Sequence, residues 1–454
     1  MPAPQERSEL KVQSERAIVA AVRLPDSNHN PADPFGELRS LAEQAGAIVV
    51  GELTQNLTKP VAGTYMGSGK IEELGRLCEA LDATTVIFDH DLSPKQLAKI
   101  EEITKRKVVD RSELILDIFA SRASTHEAQL QVELAQLEYT YPRLRAMWSH
   151  LERIVGAGGI AGIGTRGPGE QQLEIDRRLV QSRKNDLQRE LREIQARKRR
   201  EVQARKQEHF TIGIVGYTNA GKSTLFNTLT AGGAYADNRL FATLMTRTRQ
   251  WDLGGGHNVM LSDTVGFVRD LPHNLIASFK ATLEEATHAD VLLIVLDVSD
   301  PAAALHYDTV TSTLDELIDE TKSLEKSLGE SYRPPERVLL LNKSDRLKDN
   351  REVLVWQRKV PGAIPICALP SRTGQPLGHA ELIDRVRASS IGQLQEVTIR
   401  LPLTEGRAIH AIETRATVLS REYEENAVRL KARIGSRQLQ LLRASGVKMK
   451  VENA

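Results

Sequence analysis

Two cysteines in 454 residues, Cys78 and Cys367, stand far apart, and neither has a metal ligand at a useful spacing. That excludes a disulfide framework and a thiolate zinc site, and predicts two reduced thiols in a reducing compartment. Aromatic residues make up 4% of the chain, which leaves little surface for stacking bases. Net charge is nearly absent as well: 61 Lys and Arg against 60 Asp and Glu give +1, so affinity for nucleic acid must come from local clustering. No apolar run approaches eighteen residues, and the polar first residues carry no apolar leader segment. The chain is therefore read as cytoplasmic, without an integral membrane segment. What it does have is 40% hydrophobic residues and length for about three domains, which predicts a globular protein.

One stretch organises the rest. Phe210, Ile212, Ile214 and Val215 predict a strand, and Gly216, Tyr217, Thr218, Asn219, Ala220, Gly221, Lys222, Ser223 and Thr224 follow with the full G-x-x-x-x-G-K-[ST] spacing. Glycines let consecutive backbone N–H groups turn toward phosphate oxygens at the positive end of the next helix. Lys222 is expected to reach the β- and γ-phosphates, and the Ser223 hydroxyl to hold Mg2+. Leu240-Phe241-Ala242-Thr243-Leu244-Met245 sits in an otherwise polar connection, where Thr243 would be the switch threonine that binds the metal and senses the γ-phosphate. Strand Val259-Met-Leu leads to Asp263-Thr264-Val265-Gly266, a D-x-x-G element whose aspartate holds the metal through water and whose glycine N–H meets the γ-phosphate.

Strand Val338-Leu-Leu-Leu runs into Asn342-Lys343-Ser344-Asp345. The Asp345 carboxylate can accept from both N1–H and the 2-amino group of guanine, a donor pair adenine lacks, and Lys343 would lie along the base. Cys367-Ala368-Leu369 follows Ile364-Pro-Ile, where a backbone N–H is expected to meet guanine O6. Four elements in this order predict a GTP/GDP site with Lys222, Thr243 and Gly266 as its catalytic residues. They also predict a doubly wound sheet at residues 209–391 with the ligand at the strand C-termini.

The flanks are read as follows. Residues 1–15 are a polar tail, and 16–122 alternate strand and helix, which predicts a mainly parallel sheet. Residues 113–155 predict one helix with Pro142 as a break or kink; Gly156–Gly169, with seven glycines, predicts a mobile loop; and a second helix runs from about Glu170 to Glu208. Together, 123–208 form a helical hairpin. From Arg177 to Lys206 its second arm carries twelve Arg and Lys against four Asp and Glu, and a basic rod with a glycine-rich tip suits insertion among RNA phosphates. Residues 395–454 predict a small α/β domain of strand, helix (405–423), strand, helix and strand.

The matching stretches Asp110–Phe119, Leu130–Leu137, Arg166–Glu170, Leu173-Glu174, Asp176–Arg178, Gly216–Ser223, Leu240–Leu244 and Asp263–Phe267 resemble the HflX family, ribosome-associated GTPases of the translation-factor-related class. The resemblance runs from about residue 16 to the end and is weakest in the last sixty residues. It implies a P-loop GTPase domain preceded by an α/β domain with a long helical hairpin and followed by a small α/β domain. It also implies a factor, expected as a monomer, that binds the large ribosomal subunit and its RNA, points its hairpin loop toward the peptidyl transferase centre, and splits stalled ribosomes. Three features depart from the family pattern. Cys367 replaces a serine within a longer turn ending at Gly374, a polar insertion at 322–336 is expected as a surface loop, and Met245-Thr-Arg-Thr lacks the usual D-P-T.

Phe267 occupies the position where small GTPases place a water-orienting glutamine, and no arginine finger is legible in cis. Hydrolysis by the chain alone is therefore expected on the order of 10⁻⁴ s⁻¹, with a partner adding up to about 10⁵-fold; by resemblance that partner is the ribosome. Asn219 is similar to the asparagine with which related GTPases bind K+ in place of a finger, or it shapes the loop by a hydrogen bond. Two other readings stay open: a GTP-regulated scaffold that docks proteins through the hairpin, and a second nucleotide at Gly67-Ser-Gly-Lys70, where Thr64 stands in place of the first glycine.

Overall fold

In the computed structural model the described residues are 15–25, 33–156, 168–230, 246–255, 257–264, 266–269, 286–327, 332–369, 377–444, 447 and 449–453. They fall into two compact units that divide between Gln188 and Arg189.

The first unit starts with strand β1 (Arg16–Arg23), helix α1 (Gly36–Gln44), β2 (Ile48–Asn56), α2 (Ser68–Ala80), β3 (Thr85–Phe88), α3 (Pro94–Thr104), β4 (Lys107–Val109) and α4 (Arg111–Arg122). The sheet order is β2-β1-β3-β4, parallel throughout. Ala17 to Val22 form one unbroken apolar run and are all at most 5% exposed, as a strand covered on both faces requires. Because α1 steps from β1 to β2 in one direction and α2 and α3 step back in the other, right-handed crossovers place them on opposite faces. Ile71, Leu74, Cys78 and Ile100 of α2 and α3 pack with Ile18, Ala20 and Phe88.

Helices α5 (His126–Gly156) and α6 (Pro168–Glu208) follow. The single helix expected over 113–155 is two helices: Ala123 is extended after α4, and the Thr125 hydroxyl accepts from Ala128 N at 3.3 Å. Pro142 lies inside α5 and does not end it. Tyr139 and Arg143 on either side both reach the carboxylate of Asp110, a tertiary anchor that compensates for the backbone bond a proline removes. Asp110 also caps α4, accepting from Glu113 N at 2.9 Å, and accepts from Leu92 N at 3.1 Å. On α6, Arg183 makes a two-pronged pair with Glu133 at 2.7 Å, and Lys184 pairs with Glu138 at 2.8 Å. The glycine-rich tip expected to be mobile lies, for residues 157–167, outside the described residues.

The second unit contains β5 (Thr211–Gly216), α7 (Lys222–Leu229), β6 (Arg247–Asp252), β7 (Asn258–Asp263), β8 (Val291–Asp297), α8 (Ala303–Ser327), β9 (Glu336–Asn342), α9 (Arg351–Lys359), β10 (Ile364–Pro365) and α10 (His379–Ile391). Its sheet order is β10-β9-β8-β5-β7-β6, parallel except for β6, an antiparallel edge strand. The strands alternate. Ile212, Ile214, Leu293, Val295 and Leu340 pack with α7 and α10 through Leu225, Phe226, Leu382 and Val386. Val215, Leu292, Ile294, Leu296 and Leu341 pack with α8 and α9 through Val310, Leu314, Leu317 and Trp356. Helices on both faces of a mostly parallel sheet make the doubly wound fold.

The polar insertion at 322–336 is only partly the surface loop expected. Helix α8 continues to Ser327, and its Glu325 is 4% exposed, 3.2 Å from His288 Nε2. Thr321 donates to Leu317 O at 2.7 Å, and Tyr332 donates its hydroxyl to Thr287 O at 2.8 Å. Polar side chains with partners can be buried, so a polar stretch need not be a loop.

The chain ends in β11 (Leu394–Pro402), α11 (Gly406–Arg415), β12 (Thr417–Tyr423), β13 (Ala427–Gly435), α12 (Ser436–Ala444) and β14 (Lys450–Asn453). The helix expected over 405–423 stops at Arg415; 417–423 is an edge strand paired to β13, since pairing outweighs local propensity there. The order β12-β13-β11-β14, all antiparallel, gives a β-α-β-β-α-β module. Arg437 of α12 pairs with Asp290, whose other oxygen accepts from Thr211 N at 2.9 Å. This module is thereby fastened to the N-terminal ends of β5 and β8, opposite the end where the P-loop motif lies.

Candidate functional site

Strands β5, β7, β8 and β9 are parallel, so Gly216, Asp263, Asp297 and Asn342 emerge at one edge of the sheet. Gly216 and Gly221 have φ of 153° and 97°, and a Cβ on either would collide with Val295 O or with Asn342 Nδ2. Only glycine allows both the turn and the close approach. Tyr217, Thr218 and Ala220 are buried, Asn219 is exposed at φ 59°, and Lys222, Ser223 and Thr224 open α7.

Lys222 is 7% exposed and donates to Tyr217 O at 2.8 Å. Burial pushes its ammonium down to about 8, against the pull of the Asp263 carboxylate, which favours the charged form. Asp263 itself is fully buried, and Thr264 donates to Ile214 O at 2.7 Å, tying the D-x-x-G segment to β5. Gly266 lies against Lys222: a Cβ built on it would stand 2.8 Å from the amine. Phe267, 2% exposed, donates its N–H to Gly216 O at 3.1 Å and accepts from Thr218 N at 2.7 Å. The Tyr217 hydroxyl accepts from Arg269 N at 2.8 Å, while its ring stacks on His306 at 3.9 Å.

On the other side of the loop, Asn342 turns inward. Its Nδ2 donates to Ala220 O at 2.7 Å and its Oδ1 accepts from Ala368 N at 3.0 Å, so it staples two loops together. Lys343 donates to Asn219 O at 2.9 Å and pairs with Asp297 at 2.6 Å. Ser344 donates its hydroxyl to Ile366 O at 2.9 Å. Burial, followed by a hydrogen bond to Asp345, pushes the Cys367 thiol up, so the protonated thiol donates to that carboxylate. Leu369 is 59% exposed at the rim.

The structure thus brings Gly216, Lys222, Asp263, Gly266, Asn342, Lys343, Asp345 and Cys367 to one edge. Phe241, Ala242, Thr243, Leu244, Met245 and Val265 lie outside the described residues. Reading the motifs missed three supports: Asp297; Thr228, which donates to Ala368 O at 2.7 Å; and His379, whose Nε2–H donates to Cys367 O at 3.1 Å. Asp297 ends the apolar strand at 291–296, which was a usable signal; His379 and Thr228 have none, because tertiary folding alone places them. Lys70, the lysine of the incomplete second loop, pairs with Glu73 at 2.8 Å in the first turns of α2, and Gly67 N donates to Gln55.

A phosphate-loop strand and helix, a D-x-x-G turn against the loop lysine and an N-K-x-D turn at the next strand end make this unit a P-loop GTPase domain. Family descriptions agree along the chain: GTP-binding GTPase N-terminal over residues 33–120, GTP-binding GTPase Middle Region over 122–206 and 50S ribosome-binding GTPase over 211–343. GTPase HflX of Lacrimispora saccharolytica is 47% identical over 310 residues, 68% of this chain and 72% of that protein. GTPase HflX of Caldanaerobacter subterraneus is 36% identical over 94% and 92%, and that of Escherichia coli 38% identical over 82% of each. The chain belongs to the HflX family of GTPases. Among the described residues, no helix is long and apolar enough to cross a membrane.

Proposed function

We propose that this chain is a GTP-hydrolysing switch that binds the large ribosomal subunit through its basic hairpin and helps to split or rescue stalled ribosomes. The observation that supports it best is the packing of Gly266 against Lys222 Nζ, which lets one γ-phosphate meet the loop lysine and the switch glycine together. In this reading Lys222 and Gly266 stabilise the charge of the transferring phosphoryl group with Thr243, while Asp345 and Lys343 hold guanine.

Mg2+ fits the donors present. Among the described residues no three His, Cys, Asp or Glu side chains gather into a metal cage. The loop offers the Ser223 hydroxyl with Asp263 close enough to influence Lys222. That set suits a cation held by phosphate oxygens and water, with Ser223 and Thr243 completing it. The metal would neutralise phosphate charge when bound.

Ribosome binding is tested by sedimentation with large subunits. Pelleting is expected with a GTP analogue, weakly with GDP, and is expected to fall when Arg197, Lys198, Arg199 and Arg200 are neutralised. Pelleting that ignores both nucleotide and charge would favour a scaffold role and defeat the proposal.

The lysine also predicts a pH dependence. Its folded pKa lies below its unfolded one, so between about 8 and 10.5 the unfolded chain binds more protons and stability rises with pH. A bound phosphate needs the charged amine, so nucleotide binding takes up a proton above pH 8. The Kd for GDP should rise by up to about tenfold per pH unit above 8. Lys222→Met should flatten this slope and correct for titration of guanine itself; equal slopes in both proteins refute the assignment.

A further inference from the structure

Thr218 is 7% exposed, and its Oγ1 is fully buried without a hydrogen-bond partner among the described residues. A hydroxyl can always rotate toward an acceptor, so one left alone in a packed loop calls for an explanation. Its surroundings supply one. A Cβ built on Gly266 would lie 3.0 Å from Thr218 Cγ2 and 2.8 Å from Lys222 Nζ, so Thr218, Gly266 and the lysine converge on one point. The backbone there is fixed, because Thr218 N donates to Phe267 O at 2.7 Å.

The neighbours are already committed. Phe267 has no polar atom in its side chain and is buried with Val215 and Leu292. The Tyr217 hydroxyl accepts from Arg269 N, and Lys222 donates to Tyr217 O. Among the described residues, Thr218 keeps a buried donor and acceptor unused.

We propose that the Thr218 hydroxyl is a catalytic residue of GTP hydrolysis, accepting a hydrogen bond from the attacking water and donating one to a γ-phosphoryl oxygen. This rests on the GTPase reading above and takes over the task a glutamine at position 267 would perform. In the step itself the water oxygen bonds to the γ-phosphorus as the bond to the bridging oxygen breaks. The electron pair leaves with GDP, and the water proton passes to the phosphate. Thr218 orients and changes no covalent bond.

The test is single-turnover hydrolysis of radiolabelled GTP by the full chain and by Thr218→Ser, Thr218→Ala and Thr218→Val, alongside affinities for GDP and a GTP analogue. Serine should keep the rate within about 3-fold. Alanine and valine should lose about 10-fold or more, since one positioned contact to the reacting groups typically contributes at least that much. GDP affinity should stay within about 3-fold, while alanine and valine should weaken analogue binding by less than they slow hydrolysis. Serine and alanine differ only in the hydroxyl, so their ratio decides even if loss of the methyl loosens the loop. Equal rates for serine and alanine, or losses that merely track GDP affinity, overturn the assignment while leaving the GTPase reading intact. A wild-type chain that fails to bind or hydrolyse GTP overturns both.

Discussion

Replacing Asp345 by asparagine is expected to turn a guanine site into a xanthine site. The carboxylate accepts from N1–H and the 2-amino group; an amide presents a donor there, which clashes with the guanine amino group and suits the C2 carbonyl of xanthine. A polar group that the bound base covers and that then faces the wrong partner discriminates by about 10⁴-fold, so GDP affinity should fall on that order while XDP gains. The frame should survive, because the Cys367 thiol that donates to residue 345 can still donate to an amide oxygen and the other contacts do not involve that side chain. Asn342 still bridges Ala220 and Ala368, Ser344 still donates to Ile366 O, and Lys343 stays paired with Asp297. Competition between GDP and XDP measures the change. A variant that keeps its preference for GDP would show that the base is read elsewhere.

That prediction draws on residues legible in the sequence, because each motif sits where an apolar strand ends. Linear spacing carries such information: glycines at 216 and 221 report backbone turns, and the unbroken apolar run Leu292–Leu296 reports a sheet covered on both faces. What spacing could not report is which side chains turn inward. Asn342 belongs to a guanine motif, yet it spends both ends of its amide on the protein's own backbone. His379 supports the Cys367–Ala368 turn from the start of α10, and Thr228 supports it from α7, far away in sequence.

The same limit shaped the fold. Strand β12 was misread as helix because its pairing partner, β13, is what makes it a strand. The end of α8 was misread as loop because Glu325 and Thr321 are polar, and only the fold supplies the partners that let them be buried. Thr218 illustrates the limit most directly, since its significance lies in a missing partner.

The largest stability effect should come from Arg111, which lies just before the helix read from the sequence and is the first residue of α4 in the structure. It is 1% exposed, with one guanidinium nitrogen 2.6 Å from Asp89 and another 2.8 Å from Glu37. Asp89 is 5% exposed at the C-terminal end of β3, and Glu37 opens α1, so one side chain joins α4, β3 and α1. Removing it strands a buried carboxylate, and breaking a buried pair from one side costs about 3–5 kcal/mol. Arg111→Met keeps much of the apolar stem and should still lower the melting midpoint of the N-terminal unit by roughly 10 °C. Adding Asp89→Asn should recover part of that loss, because the orphaned charge is removed together with its partner. If Arg111→Met melts within about 2 °C of the wild type, or if the second substitution makes matters worse by its full single-mutant cost, the two residues do not interact energetically. The neighbouring Asp110 anchors α5 through Tyr139 and Arg143, so loss of Arg111 should also raise amide exchange in Glu113–Phe119 before the GTPase unit responds.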